Sequence, residues 1–501
     1  MTAACGLVDR ANLQVPHILN ADTGGIRSIA SNSLQLMAKN IVVYLVRFLY
    51  VAIVARFLGP ELYGLLVYGQ TWYLVFLPFA FMGLQLAISR LIGRDNSRAR
   101  EISTQTLSLR ILASVLTALV CAGSGWLLVD SREVALLITV FSIALVFRSL
   151  AQWANEIFNA FESSWRTLRQ ESLFRSVEVV LGILVLVSGG GIYLLAFVHS
   201  MVWLLQALRG IYLVHREYTG IHIDLSLGRL KPVLLMAIPF LAGAFLTNWE
   251  LQGAIILFHN HAGEGQASGS FALAIQIMII LSVLFASITI AALPVLSRSA
   301  QRKDHKDLLF VDTLMRAGFL GCAMVGIAGM ALGPSLVIRI FGEQYLLAAR
   351  LIGPALWCLL PFSLASTLTA FTIARGYYYL SPACHLAGAV VLTVSLPILV
   401  AEWGATGGII AAGLGLGTSA ICLIMIAVTR NWLDALKVLV YPALCVAALL
   451  ATYNLLEPFS VWLALPASLL VLLGLAHMTG TISAADRQLV KQLMDRSRAQ
   501  A

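Results

Sequence analysis

Two arginines lie deep inside apolar segments of this sequence, where a charged side chain is costly and needs a partner or a water-filled cavity. Arg47 is the first, and Asn40 and Tyr44 share its helical face at i, i+4, i+7 spacing. Arginine carries a permanent charge on a planar fork, which can bind phosphate oxygens through two parallel hydrogen bonds. We therefore interpret Asn40, Tyr44 and Arg47 as residues that line a cavity and bind an anion.

Arg148 is the second of these arginines and begins another polar stripe. Gln152 lies about one turn further along the helix, followed by Asn155 and Glu156. The stripe predicts a second set of cavity residues, with Arg148 and Gln152 as the binding candidates. The alternative is that the two arginines pair with acids of neighbouring helices, such as Glu156 or Glu250, and only hold the helices together.

Other charged positions in the apolar segments have different interpretations. Arg175 and Glu178 are three residues apart, a spacing that predicts a structural ion pair within one helix. Glu250 has no basic residue nearby in the sequence, and we interpret it as a candidate for coupling to protons or sodium. Arg375 ends an apolar segment, where it either sets the membrane orientation or recruits an anionic ligand at the mouth of the cavity.

The sequence predicts no catalytic residues and no cofactor. His259 and His261 have no acids or cysteines beside them that would complete a metal site. The seven cysteines lie far apart without a CxxC pair, as expected for small packing residues. A GxxxxGK[ST] phosphate loop, the signature of many nucleotide hydrolases, does not occur.

The elements that position these residues are predicted to be membrane-spanning helices. Of the 501 residues, 59% are hydrophobic and only 11% are charged, whereas a soluble domain typically has about 25% charged residues. Apolar stretches of about 20 residues, long enough to cross a hydrocarbon core of ~30 Å, recur along the chain. We therefore predict an all-α integral membrane protein with about fourteen transmembrane helices. The predicted spans are 34–57, 64–89, 104–129, 133–157, 168–187, 191–214, 232–258, 268–293, 309–332, 347–374, 381–401, 405–428, 436–454 and 459–478.

The basic residues predict how the chain is oriented. They cluster after every second span, for example in residues 90–100 and 298–306, and they are scarce in the other connections. Connections rich in Lys and Arg stay in the cytoplasm. We expect a multi-pass protein of a bacterial inner membrane with both termini in the cytoplasm and no cleavable signal peptide. The net charge of +9 is then a topology signal rather than a sign of a nucleic-acid partner.

A weak internal repeat relates the first six spans to the next six. The segment Gly59–Gly64 and the early Gln70 correspond to Gly265–Gly269 and Gln276. Such repeats are typical of secondary transporters and predict two six-helix bundles around a central cavity, with two extra C-terminal helices. The predicted domains are a cytoplasmic tail (1–33), the N-terminal bundle (34–214), a cytoplasmic linker (215–231), the C-terminal bundle (232–428), helices 13 and 14 (429–478) and a cytoplasmic tail (479–501).

Three further segments are informative: Ala55–Gly64 with its Leu-Gly-Pro-Glu turn, Met82–Gln85 before a basic connection, and Phe341–Tyr345. In these segments the sequence resembles the oligosaccharide flippase, or polysaccharide transporter (Wzx-like), family of the multidrug/oligosaccharidyl-lipid/polysaccharide (MOP) exporter superfamily. The likeness extends over essentially the whole chain. It implies a transporter rather than an enzyme, which moves undecaprenyl-diphosphate-linked oligosaccharide from the cytoplasmic to the periplasmic leaflet for O-antigen, capsule or exopolysaccharide synthesis.

The expected partners are accordingly the polyprenyl-diphosphate-linked oligosaccharide, the membrane lipid, and polymerase and glycosyltransferase proteins of the same pathway. We hypothesise alternating access, driven by the membrane potential, protons or sodium. Three alternatives stay open. One is a multidrug or cation antiporter of the same superfamily, which needs decisive acids in its cavity. Another is a membrane polymerase or ligase, which needs a long periplasmic loop with paired catalytic groups, and the third is a non-transporting scaffold role in a biosynthetic complex.

Overall fold

The computed structural model describes residues 23–224, 227–302, 306–479 and 481, and its side chains are described from Val46 onward except for 227–237, 290–307 and a few single positions. Within these ranges the chain is helical and contains no β-strand. The predicted tails, 1–33 and 479–501, lie largely outside the described residues. The helices are α1 (Thr23–Phe81), α2 (Leu84–Arg94), α3 (Ala99–Leu128), α4 (Arg132–Ala160), α5 (Ser164–Val187), α6 (Ile192–Leu213), α7 (Leu227–Ala262), α8 (Gln266–Arg302), α9 (Lys306–Phe341), α10 (Leu346–Trp357), α11 (Leu359–Ala374), α12 (Leu380–Thr429), α13 (Tyr441–Leu456) and α14 (Val461–Met478).

The prediction of an all-α membrane protein with about fourteen spans is confirmed. In the described part of the chain, 11 helical segments are long and apolar enough to cross a membrane. Two of them, in α1 and α12, each contain two spans, because Gly59 (φ 73°) and Gly404 (φ 55°) interrupt the helical backbone. Only glycine adopts such positive φ values readily. With these breaks, and with the charged helix α5 included, the described helices make up about fourteen spans.

Several predicted boundaries differ from the structure. The predicted connection between the first two spans is only a kink at Gly59, and α1 continues through it to Phe81. The predicted span 64–89 is interrupted instead at Met82 and Gly83, whose positive φ values separate α1 from α2. The predicted span 347–374 consists of α10 and α11, which meet at Cys358. Hydropathy does not predict these helix breaks, since each lies inside an apolar stretch.

Helices of the N-terminal half pack closely on one another, and so do helices of the C-terminal half. In the first half, α4 contacts α3 and α6, and α1 contacts α5; in the second half, α7 packs along α12, and α9 along α10. The outward faces carry large exposed apolar side chains such as Leu127, Leu470 and Trp462, as expected for surfaces in contact with lipid. The predicted division into two six-helix bundles stays a prediction.

The two halves meet at a junction formed by residues 55–64 of α1, Gly265–Gly269 and Phe341–Tyr345. Tyr345 donates a hydrogen bond to the carbonyl oxygen of Ala55 at 2.9 Å, and the Gln344 side chain donates to that of Arg56 at 3.1 Å. In return, the Arg56 guanidinium donates to the carbonyl oxygens of Arg339 and Ile340, both at 3.1 Å. The segments Ala55–Gly64 and Phe341–Tyr345, which carry the family resemblance, therefore bind each other.

Glycines permit the closest approach at this junction. A Cβ on Gly64 would lie 2.8 Å from the Cα of Gly269, and a Cβ on Gly269 would overlap the carbonyl oxygen of Pro60. Small residues let membrane helices come this close, and van der Waals packing then holds them together. The two landmarks of the internal repeat thus touch each other directly.

We expect Gly269→Ala to destabilise the junction, because the added methyl group meets backbone atoms that cannot move aside. Overpacking of this kind typically costs about 1–3 kcal/mol. Gly474→Ala is the matched control, since its Cβ would meet no atom within 4 Å. The measurement is the thermal unfolding midpoint of both purified variants in detergent, and equal midpoints would contradict the packing described.

Candidate functional site

A cavity of about 330 Å³ lies between α1, α4, α5 and α6, with α8 contributing on one side. Its lining residues are Val46, Arg47, Tyr50, Val51, Val54, Tyr63, Leu66, Val67, Gln70, Tyr73, Phe81, Phe141, Arg148, Gln152, Glu171, Arg175, Glu178, Val179, Leu195, His199, Trp203 and Gln276. All of them except Gln276 belong to the N-terminal half. The charged lining consists of three arginines and two glutamates, so the cavity is formally cationic when His199 is neutral.

Three of the six cavity residues predicted from the sequence lie at this cavity. Arg47, Arg148 and Gln152 line it together. The side chains of Asn40 and Tyr44 lie outside the described residues. Arg375 is not among the lining residues; its guanidinium lies over Phe371 and Trp432, 4.8 and 5.4 Å from their ring centroids.

Neither Arg47 nor Arg148 forms an ion pair with an acid in the described part of the chain. The acids proposed as alternative partners are bound elsewhere. Glu156 accepts hydrogen bonds of 2.6 and 2.8 Å from Arg110, which is fully buried, and Glu250 binds His385. The alternative pairing of Arg47 or Arg148 with Glu156 or Glu250 is therefore not formed, and the role of the two arginines as binding residues stays a prediction.

Arg47 connects the two halves of the chain across the cavity. Its Nη2 donates to Oε1 of Gln276 on α8 at 3.4 Å, a long and weak hydrogen bond. The Nε2 of Gln276 has no partner among the described residues, although the side chain is buried. Gln70 also lines the cavity, so the two glutamines that mark the internal repeat face the same space.

Arg148 is held by neutral groups. Its Nη1 donates to the hydroxyl oxygen of Tyr73 at 2.8 Å, and its guanidinium lies 5.1 Å from the centroid of the Trp203 ring. The Nε of Arg148 is buried without a partner. Cation–π contacts and one hydroxyl do not neutralise the charge. Arg148 therefore keeps both a full positive charge and an unused donor.

A hydrogen-bonded chain continues from Tyr73 into the wall of the cavity. Tyr73 lies 3.0 Å from Nε2 of His199, whose Nδ1 lies 2.5 Å from Glu178. Because Nδ1 faces a carboxylate, the donor pattern assigns its proton there, which leaves Nε2 to accept from Tyr73. Glu178 also forms the ion pair with Arg175 within α5.

Glu171 and Arg175 complete the polar wall. The Oε1 of Glu171 accepts from the side-chain amides of Gln152 (2.8 Å), Asn155 (2.7 Å) and Gln206 (3.2 Å). Arg175 donates to Oε1 of Gln206 at 3.0 Å, and its guanidinium lies 3.9 Å from the Trp203 ring centroid. Both acids of the cavity are thus supplied with donors, and three arginines against two glutamates leave the lining with an excess of positive charge.

Glu250 lies in a separate buried cluster in the C-terminal half. Its carboxylate binds Nδ1 of His385 at 2.8 Å and accepts from the Ser419 hydroxyl. Nε2 of His385 lies 3.1 Å from the Thr369 hydroxyl. A Cβ on Gly388 would overlap Glu250 and Ser419, so glycine is needed for this packing. The cluster connects α7, α11 and both ends of the kinked α12.

Several important residues were not recognised from the sequence. Tyr73, His199, Trp203 and Gln276 build the cavity, and Arg110 binds Glu156. A histidine within an apolar span is a signal that could have identified His199. His259 is stacked on Tyr68, with 3.9 Å between ring centroids, and no cluster of three or more metal-ligating side chains occurs among the described residues.

Comparison with known families identifies the chain. The sequence model of the family described as "Polysaccharide biosynthesis protein" matches residues 29–300, which is more than half of the chain. The chain belongs to this family. The resemblance to Wzx-like flippases of the MOP superfamily, stated from the residues alone, is thereby confirmed. No curated protein sequence gives a significant match.

Solved structures of the MOP superfamily share the fold of this family member. The lipid II flippase MurJ in an inward closed conformation matches with a TM-score of 0.67 at 13% identity, covering 92% of this chain and all of MurJ (100%). An inward-facing multidrug resistance MATE family transporter matches with a TM-score of 0.65 at 17% identity, covering 79% of this chain and 98% of that one. A MOP superfamily transporter from Pyrococcus furiosus gives 0.61 at 16% identity, covering 81% and 96%. At these identities the likeness shows the fold alone.

The buried pair of Arg110 and Glu156 gives a prediction about stability. Removing one partner leaves an uncompensated buried charge, which typically costs about 3–5 kcal/mol. We expect Arg110→Met to lower the thermal midpoint strongly, and the double variant Arg110→Met/Glu156→Met to recover most of the loss. Midpoints measured in detergent check this. A double variant that is as unstable as the sum of both single variants would show that the two groups are not coupled.

Proposed function

We propose that the protein is a flippase that moves a polyprenyl-diphosphate-linked oligosaccharide from the cytoplasmic to the periplasmic leaflet of the inner membrane by alternating access. The observation that carries the proposal is the cationic cavity, in which Arg47 and Arg148 form no ion pair with an acid of the described residues. Family membership supports a role in polysaccharide biosynthesis. Moving such a lipid breaks no bond, so the proposed function requires neither catalytic residues nor a cofactor.

The chemistry of the cavity suits a diphosphate. Arg148 offers an unused Nε donor, and Arg47 is engaged only by a long hydrogen bond to Gln276. Charge-assisted hydrogen bonds from arginine to phosphate are about twice as strong as neutral ones. A diphosphate could therefore displace Gln276 from Arg47 and join the two arginines.

The size of the cavity limits what it encloses. A volume of about 330 Å³ is at the lower end of small-molecule sites. This is room for a diphosphate and part of a sugar, so a longer glycan requires the halves to move apart. In our proposal the polyprenyl tail stays in the lipid throughout.

The junction between the halves and the bond from Arg47 to Gln276 support alternating access. Hydrogen bonds from Tyr345, Gln344 and Arg56 close the Gly59 end of the molecule. From the charge distribution we place this end at the periplasmic side. Opening it would move Gln276 away from Arg47 and widen the cavity on the side of α8. Transfer of two negative charges through an inside-negative potential of 100 mV contributes up to ~4.6 kcal/mol.

The first test is binding of a polyprenyl diphosphate to the purified protein. We expect Arg47→Ala and Arg148→Ala each to weaken binding by about tenfold or more, because a hydrogen bond to a charged group contributes roughly 1.5–3 kcal/mol. The exposed Arg350, on α10, provides the control variant Arg350→Ala. The same assay on Arg375→Ala tests its predicted role at the cavity mouth.

Two results would contradict the proposal. Unchanged binding in both cavity variants would remove the arginines from the site. Preferential binding of an organic cation, lost in Glu171→Gln but not in Arg148→Ala, would favour the multidrug or cation antiporter.

Coupling to protons is proposed for the cluster of Glu250, His385 and Ser419, since it is a buried carboxylate with a titratable partner. We expect Glu250→Gln to abolish acceleration of flipping by a pH gradient in proteoliposomes, while acceleration by an imposed voltage persists. Glu457→Gln, at an exposed acid, is the control. If a pH gradient still accelerates flipping in Glu250→Gln, Glu250 is not the coupling site. If a sodium gradient accelerates flipping and a pH gradient does not, the coupled ion is sodium.

A further inference from the structure

A second pocket lies outside the central cavity, between the beginning of α5 and the end of α6. It has a volume of about 240 Å³ and is lined by Trp165, Arg166, Arg169, Gln170, Arg209, Leu213 and Glu217; we call it the basic pocket. Arg166 and Arg169 follow the fourth predicted span, and Arg209 lies near the end of the sixth, where the sequence alone explains them as topology signals. The structure brings them together around one space.

The three arginines differ in how they are held. Arg166 forms an ion pair of 2.5 Å with Glu217, and its guanidinium lies 5.0 and 5.3 Å from the ring centroids of Trp165 and Tyr218. Arg209 has only a distant ring contact, with 6.0 Å to the Phe174 centroid. Arg169 is exposed and has no ion pair in the described part of the chain. Glu217 offsets one charge, and within the described residues neither Arg169 nor Arg209 forms an ion pair with an acid.

Gln170 provides an independent indication of a ligand. Its side chain is 2% exposed and lines the basic pocket. The Nε2 donates to the carbonyl oxygen of Gln206 at 3.3 Å, but Oε1 has no partner among the described residues. A buried acceptor without a partner is costly. A ligand that combines phosphate oxygens with a hydroxyl or amine donor would satisfy both the arginines and this amide.

The surroundings of the basic pocket favour a lipid over a soluble ligand. Leu173 on α5 and Leu205, Leu208 and Tyr212 on α6 are large side chains exposed on the outer surface. On a membrane protein such a surface contacts acyl chains, and Trp165 and Tyr212 are residue types that lie at the headgroup level. A phosphate in the pocket would therefore have apolar protein surface beside it for its chains.

We propose that the basic pocket binds the headgroup of an anionic glycerophospholipid from the cytoplasmic leaflet, with Arg169 and Arg209 on the phosphate and Gln170 on a headgroup hydroxyl or amine. Basic pockets between transmembrane helices on the cytoplasmic side commonly bind such headgroups. This site is separate from the central cavity and does not depend on the transported substrate. Its occupant stabilises the contact of α5 with α6, the two helices that carry Glu178 and His199.

The test compares thermal stabilisation of the purified full chain by phosphatidylglycerol and by phosphatidylcholine in mixed micelles. We expect phosphatidylglycerol to stabilise the wild type selectively, with an apparent affinity that falls about tenfold for each arginine removed in Arg169→Gln and Arg209→Gln. Arg209→Lys keeps the charge and is expected to retain most of the effect. The control is Arg98→Gln/Arg100→Gln, which removes two exposed charges on the same predicted side but outside the pocket.

Three outcomes would overturn the proposal. If the Arg98→Gln/Arg100→Gln control lost as much affinity for phosphatidylglycerol as the pocket variants, the effect would be unspecific attraction to the anionic micelle. Equal stabilisation by inorganic phosphate would identify a soluble anion as the ligand. Stabilisation by a polyprenyl phosphate but not by phosphatidylglycerol would assign the pocket to the transported class of lipid.

Discussion

The cost of burying a charge in a bilayer controls how this molecule is organised. The buried glutamates within the described ranges have hydrogen-bond donors, and the donor groups differ from one glutamate to the next. Glu156 has a buried arginine, Glu178 has an arginine and a histidine, and Glu250 has a histidine and a hydroxyl. Glu171 relies on three amides. Since these acids have donors of their own, Arg47 and Arg148 form no ion pair with an acid of the described residues.

The two halves of the chain contribute different groups to the cavity. The N-terminal half supplies the charged wall of the cavity, and the C-terminal half supplies an amide, Gln276, opposite Arg47. The buried ion-coupling candidate, Glu250, lies in the other half, away from the cavity. Glu250 and the cavity are therefore linked through the packing of the two halves, which includes the Gly59 junction.

The segments that carry the family resemblance have a structural role in this fold. Ala55–Gly64 and Phe341–Tyr345 bind each other through backbone carbonyls and an edge-to-face contact of Tyr63 with Tyr345, and the glycines that leave no room for a side chain lie where α1 meets Gly265–Gly269. None of the arginines that line the cavity belongs to these segments. These motifs thus mark the family and a contact between the halves without revealing the ligand, because the contact uses backbone groups of these segments, whereas the cavity is lined mainly by side chains elsewhere.

The sequence by itself determined that this is a helical membrane protein of about fourteen spans, and it singled out Arg47, Arg148 and Gln152, because hydropathy and a charge in an apolar segment are local properties. Only the tertiary structure decided which groups meet. Glu156 binds Arg110 rather than Arg148, and Glu250 binds a histidine 135 residues away. Periodicity tells which residues share a face of one helix, but not how neighbouring helices are rotated, and that rotation places His199 in the cavity and Arg375 outside it.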